Sequence, residues 1–209
     1  MILFFKQKTA YEVLSGLVGS EMRIRGSLKG GKPGKVVALR ADMDGLPVKE
    51  KVDLPFASKA KGLYQDKEVD VMHACGHDGH STMLLGAAVY LKENNDFSGT
   101  VHFIFQPAEE GGGGGRVMVE EGIFDKFPCQ AVYGMHNFPG IAEGQFAVHD
   151  TAVMAANETL KISIIGKGGH AAMPEQCIDP VVIGAQIINA LQSVVARNVA
   201  PLNSAVVSI

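Results

Sequence analysis

Val36-Val-Ala-Leu-Arg-Ala-Asp-Met-Asp44 changes character halfway along: an unbroken apolar run gives way to an arginine and two aspartates. A continuous apolar run suits a strand covered on both faces, because a half-exposed strand would alternate. The turn cluster Lys29-Gly-Gly-Lys-Pro-Gly-Lys35 sets its beginning. The same change recurs further on. Thr100-Val-His-Phe-Ile-Phe-Gln106 is β-branched and aromatic and runs into Pro107-Ala-Glu-Glu110, and Ala131-Val-Tyr-Gly-Met135 runs into His136. Between these runs, residues 81–93 carry Leu84, Ala88 and Leu91 at helical spacing, and residues 116–124 place Val117, Glu120, Glu121 and Phe124 similarly. The order strand, helix, strand, helix, strand predicts an α/β fold with a mostly parallel sheet and flanking helices. In such open sheets ligands bind beyond the carboxyl ends of the strands. Those ends carry Asp42 and Asp44, Glu109 and Glu110, and His136.

After Asn157 the texture changes. Glu158-Thr-Leu-Lys-Ile-Ser-Ile-Ile165 alternates like a half-exposed strand, with Leu160, Ile162 and Ile164 on one face. Asp179-Pro180 reads as a helix N-cap followed by proline at the first helical position, and Ile183, Ile187, Leu191 and Val195 mark one face down to about Arg197. Residues 204–209 begin a further strand and stop. The expected organisation is one domain over residues 1–156 and a second over 157–209, incomplete because its sheet is unfinished.

Of the 209 residues, 46% are hydrophobic and 20% charged, which excludes a disordered or collagenous chain. A chain this long buries roughly 70% of its unfolded surface and needs no structural metal merely to fold, so a metal site would indicate chemistry. The formal charge of −3 and the lack of like-charge runs argue against nucleic-acid or membrane-surface partners. Three scattered cysteines, Cys75, Cys129 and Cys177, make no disulfide framework and fit a reducing, cytoplasmic setting. The most apolar stretch, residues 181–196, is interrupted by Gln186, Asn189 and Gln192, which argues against a membrane span.

His73-Ala-Cys-Gly-His-Asp-Gly-His80 gathers three imidazoles, a thiol and a carboxylate in eight positions, the donor set that zinc-class metals favour. In an extended segment Cys75 and His77 would emerge on one face about 6–7 Å apart, able to flank a metal or a metal pair. No second short-spaced ligand pair completes a finger-like structural site. Glu109 and Glu110 follow a strand and precede five glycines; one carboxylate can bind metal while its neighbour faces a reacting water. The glycine run is not a phosphate loop, since no G-K-[ST] completes it. Asp42 and Asp44 serve either as ligands or as partners that orient a ligating imidazole, the second reading being preferred for Asp44. His136 is a candidate ligand, whereas His102 and His149 receive no role.

For amide hydrolysis a general base alone supplies about 10² to 10⁴ in rate, or roughly 3–5 kcal/mol. A metal contributes more, because it lowers the pKa of water from about 15.7 to about 7 and polarises the carbonyl as well. A Cys75 nucleophile activated by His77 is disfavoured, because a base two positions away is poorly placed to take the thiol proton.

Five segments together resemble the amidohydrolase branch of the aminoacylase and carboxypeptidase metallopeptidase clan, which includes hippurate and auxin-conjugate hydrolases. They are Leu39-Arg-Ala-Asp-Met-Asp-Gly-Leu-Pro47, Met72-His-Ala-Cys-Gly-His-Asp-Gly-His80, Phe105-Gln-Pro-Ala-Glu-Glu110, Gly134-Met-His136 and Gly166-Lys-Gly-Gly-His-Ala-Ala-Met-Pro174. The resemblance covers roughly residues 34–209. It implies two divalent ions (Zn, Mn, Co or Ni), bridged by Cys75 and held terminally by His77, Glu110 and His136. It also implies Glu109 as general base and His170 as a residue that steadies the oxyanion in a partner subunit's site. It implies that residues 1–156 are a catalytic metal-binding domain and 157–209 part of an α+β satellite domain, and that a homodimer joined through the satellite domain cleaves N-acyl amino acids or related conjugates.

Two departures accompany the resemblance. Residues 1 to about 15 look like unrelated sequence joined to a genuine domain. The family's last metal-binding histidine and its substrate-carboxylate contacts would lie beyond Ile209, so the 209 residues alone are expected to bind metal weakly and turn over little. The alternative is a non-catalytic metal-binding or dimerisation fragment.

Overall fold

The computed structural model describes residues 24–209, so the expectation about the first fifteen or so residues lies outside the described residues. The chain divides into two compact units, the first ending at Phe146 and the second spanning Ala147–Ile209.

The first unit is built on four strands: β1 (Ile24–Lys29), β2 (Lys32–Asp42), β5 (Ser98–Gln106) and β6 (Ala131–Gly134), in the order β1-β5-β2-β6. β2 runs parallel to both β5 and β6, as expected, while β1 pairs antiparallel with β5 and makes the sheet mixed. A separate hairpin, β3 (Lys61–Tyr64) with β4 (Lys67–Asp70), precedes helix α1 (His77–Glu93).

Alternation along the central strands sends side chains to two faces. Val101, Phe103 and Phe105 of β5 pack with Ala41 and with Leu84, Leu85, Ala88 and Leu91 of α1. On the opposite face, Ile104 and Ala38 meet Met118 and Ile123 from the short helices α2 (Gly114–Glu120) and α3 (Ile123–Lys126). The periodicity over residues 116–124 therefore belongs to two helices, broken at Gly122, whose φ of 77° is left-handed.

Gly99 shows how closely the central strands approach. Its φ is 100°, and a Cβ there would stand 2.0 Å from the carbonyl oxygen of Lys35, beside the register shift in the β2–β5 ladder. Gly99→Ala is expected to cost about 2–4 kcal/mol through backbone strain and overlap. An unchanged urea midpoint would show that the ladder does not need this close approach.

The second unit departs from the antiparallel sheet expected of it. Residues 158–165 form no strand, and Leu160 and Ile165 are exposed; residues 204–209 are likewise unpaired. Alternation marks a segment as able to pair, but a strand needs a neighbouring backbone to bond with, and only an isolated bridge between Lys167 and Ile178 is present here among the described residues. The helix was legible: α4 (Pro180–Ser193) starts where expected, with the Asp179 carboxylate accepting from Val181 N–H at 2.8 Å, and continues as a π-helical turn over Val194–Asn198. By length and composition alone, residues 180–198 are apolar enough to cross a membrane, yet the same test passes many helices of soluble proteins.

Candidate metal centre

The parallel strands β2, β5 and β6 end at one edge of the sheet, with Asp42 in register with Gln106 and Arg40 with Gly134. The chain leaving them supplies Asp44, Glu109 with Glu110, and His136. The fourth contribution comes from α1, which starts at His77, four residues before the apolar periodicity suggests. Its buried residues His77, His80, Ser81 and Leu84 follow an i, i+3, i+4, i+7 stripe. Leu84 anchors that stripe in the core, and Ser81 Oγ donates to the Asp42 carbonyl at 2.9 Å, so the first turn sits over the end of β2.

Cys75 and His77 do not share a face of an extended segment, as spacing alone suggests. Gly76, at φ 83°, reverses the chain between a turn and the helix. The thiol and the imidazole converge all the same: ligand atoms of Cys75, His77 and His136 lie within 4.8 Å of one another, as do those of His77, Glu109 and Glu110.

His77 is the hub. It is fully buried, and its Nδ1 meets Asp44 Oδ1 at 3.1 Å, which leaves the lone pair on Nε2. Asp44 Oδ2 also accepts the backbone N–H of Glu110 at 2.9 Å, tying the glutamate turn to the same carboxylate. His136 Nδ1 donates to the Asn137 carbonyl at 2.6 Å, so its Nε2 is likewise free and faces Cys75 Sγ at 3.4 Å. Both imidazoles thus present Nε2 to one pocket, each oriented through its other nitrogen.

His77 Nε2 is buried and has no hydrogen-bond partner. Leaving such an atom unsatisfied costs about 1–3 kcal/mol. Around it stand Glu110 Oε1 at 3.7 Å, Asp42 Oδ2 at 3.7 Å and Glu109 Oε2 at 3.9 Å. A four-coordinate ion with bonds of about 2.0–2.3 Å holds its donors about 3.3–3.8 Å apart. The two 3.7 Å separations match that spacing, that of Glu109 lies just beyond it, and all three are too long for direct hydrogen bonds, so the residues fit a divalent ion.

Burial pushes the Cys75 thiol above its ordinary pKa, and the carboxylates of Glu110, Glu109 and Asp42 push it further. Without a cation Cys75 is therefore a thiol, which speaks against an activated nucleophile.

Asp42, His77 and His80 form a further candidate ligand group, fully buried. Burial alone would raise the Asp42 pKa, but the His80 hydrogen bond and the charges of Arg40, His77 and His80 outweigh it and hold the carboxyl below its ordinary value. Arg40 contacts Asp42 Oδ2 at 2.6 Å, placing a cation beside it, and both ring nitrogens of His80 are engaged by Asp42 and Asn137.

Sequence reading assigned no role to His80, Asn137, Arg40 or Gln106. The available signal was the spacing of His80, three after His77, once the helix is started early enough to include both. His170 lies in the second unit, exposed, with its Nδ1 accepting Ala172 N–H at 3.1 Å.

Comparison with known proteins points the same way. The model of peptidase family M20/M25/M40 matches residues 38–207. The chain is 48% identical to a hippurate hydrolase of Campylobacter jejuni over 184 residues, 88% of this chain and 46% of that protein. It is 46% identical to an N-acetyl-L-cysteine deacetylase of Bacillus subtilis over 183 residues, 87% of this chain and 42% of that one. The chain spans about half the length of the curated relatives it matches. A crystal structure of a Bacillus subtilis family M20 peptidase, described as binding a dinuclear metal centre, superposes with a TM-score of 0.50 at 42% identity, covering 56% of this chain and 31% of that one.

Proposed function

Because this chain belongs to peptidase family M20/M25/M40, we propose that the full-length protein is a metal-dependent amidohydrolase that cleaves N-acyl amino acids or related conjugates into a carboxylate and a free amine. The observation that carries the reading is the unpartnered Nε2 of buried His77, facing carboxylates at metal-ligand spacing and grouped with Cys75 and His136. The names of the hippurate and N-acetylcysteine relatives support the substrate class.

Cys75, His77, Glu110 and His136 would hold two divalent ions in this reading, with Asp44 fixing the His77 ring. Bound there, the ions would polarise the scissile carbonyl and lower the pKa of water enough for attack at neutral pH. Glu109, the more exposed of the paired glutamates, takes a proton from the water as its oxygen bonds to the acyl carbon. The same carboxyl returns that proton to the nitrogen as the C–N bond breaks, so the amine leaves neutral.

The first unit is the metal-binding catalytic domain in this account, and the second a satellite that joins two copies. His170 then steadies the oxyanion in the partner's site, a role supported by the Gly166 to Pro174 motif. A cytoplasmic setting agrees with three free cysteines.

The test is hydrolysis of hippurate, acetyl-amino-acid and acyl-diaminopimelate substrates by the full-length gene product. Activity on some of them is expected, lost on chelation and recovered with Mn²⁺, Co²⁺ or Zn²⁺. Turnover indifferent to chelation would overturn the mechanism, and tight metal binding without turnover of any acyl substrate would leave only a binding module.

A further inference from the structure

His80 points into the metal centre yet has no lone pair to offer it. Its Nδ1 contacts Asp42 Oδ1 at 2.6 Å, and its Nε2 receives the Asn137 backbone N–H at 2.9 Å with the Asn137 carboxamide 2.5 Å away. Asp42 is held in turn by Arg40, whose Nε donates to Gln106 Oε1 at 2.9 Å. A chain of polar contacts therefore crosses the strand ends, from β5 through β2 and α1 to the residue that follows His136.

Asn137 reaches both ligand-bearing loops. Its carbonyl accepts from His136 Nδ1 and so aims His136 Nε2 at Cys75. Its carboxamide lies against Gly76, between Cys75 and His77, where an added Cβ would be 2.6 Å from Asn137 Oδ1. These two loops are 61 residues apart in sequence, and β6, which leads to His136, is an edge strand paired with β2. His136 itself is exposed. The sheet ladder holds this segment only as far as Gly134, and the His80–Asn137 contact ties the chain beyond it to the helix that carries His77.

We propose that His80 and Asn137 are positioning residues that buckle the His136 loop onto the Cys75-Gly76-His77 turn, presetting the donor spacing and thereby raising metal affinity. The proposal rests on the metal-centre reading above. Residues that orient ligands typically contribute 10–100-fold in metal affinity. The second consequence concerns Gly76, whose lack of a side chain makes room for the carboxamide as well as allowing its positive φ.

The experiment titrates the full-length protein with Co²⁺, following the thiolate-to-cobalt charge-transfer band, which reports Cys75, and the visible d–d bands, which report ligand number and geometry. His80→Phe keeps a ring but deletes the nitrogen that accepts the Asn137 N–H, whereas Asn137→Ala keeps both of its backbone contacts. His80→Phe is expected to weaken Co²⁺ binding about 10–100-fold and to alter the d–d bands, with Asn137→Ala milder. The far-UV circular dichroism of the metal-free variants should match wild type. Gly76→Ala weakens binding too, but less in the Asn137→Ala background than alone, because the carboxamide it would strike is gone. Wild-type affinity and spectrum in His80→Phe would overturn the buckle and leave the metal centre standing, as would an affinity loss with unaltered d–d bands. Absence of a charge-transfer band in the wild-type chain would overturn the metal-centre reading itself, and the buckle with it.

Discussion

Glu109→Gln in the full-length protein is expected to lower kcat by about 10² to 10⁴ fold while metal content and KM stay near wild type. The factor corresponds to roughly 3–5 kcal/mol of barrier, the usual contribution of a positioned base. Distance alone does not separate the two glutamates, since Glu109 and Glu110 stand 3.9 and 3.7 Å from His77 Nε2. Their anchoring does. The N–H of Glu110 is fastened to Asp44, the carboxylate that also orients His77, and its side chain is 23% exposed; that of Glu109 is 40% exposed and free to meet a water and a leaving amine. Ala108, at φ 53°, is the kink that turns the strand into this pair. Glu110→Gln is the matching control and should lose metal. If metal analysis found Glu109→Gln depleted and Glu110→Gln replete, the two roles would be exchanged.

In the full-length protein His77→Ala is expected to abolish tight metal binding, a loss exceeding the roughly 100-fold upper range for residues that merely orient a ligand. His77 belongs to every candidate ligand group found among the described residues, so no group is left intact without it. Metal at about 100 times its Kd should stabilise the wild-type protein by about 2.7 kcal/mol and so raise its Tm. The variant should show no such rise. Thermal melts with and without Zn²⁺ decide the matter: an equal shift in both proteins would place the ion elsewhere.

Much of the central sheet was legible because buried parallel strands read as apolar runs, and the polar residues that end them stand out against that background. Val36 to Asp44 and Thr100 to Glu110 show this plainly. The chemistry was legible for a similar reason, since thiol, imidazole and paired carboxylates rarely crowd into short motifs without a role. The start of α1 was not legible. His77 and His80 are polar, so the periodicity of apolar residues begins only after them, although both lie on the buried stripe.

Sequence by itself marked the candidate metal-binding side chains and the strand ends from which Asp44, Glu109, Glu110 and His136 emerge, because strand burial and side-chain chemistry are local properties of the chain. Only the tertiary structure decided how they meet. The left-handed turn at Gly76, the orientation of His77 by Asp44 and the grip of His80 on Asn137 join residues up to 57 positions apart. Contacts of that kind depend on the packing of α1 against one face of the sheet, a property of the assembled unit that no stretch of sequence carries alone.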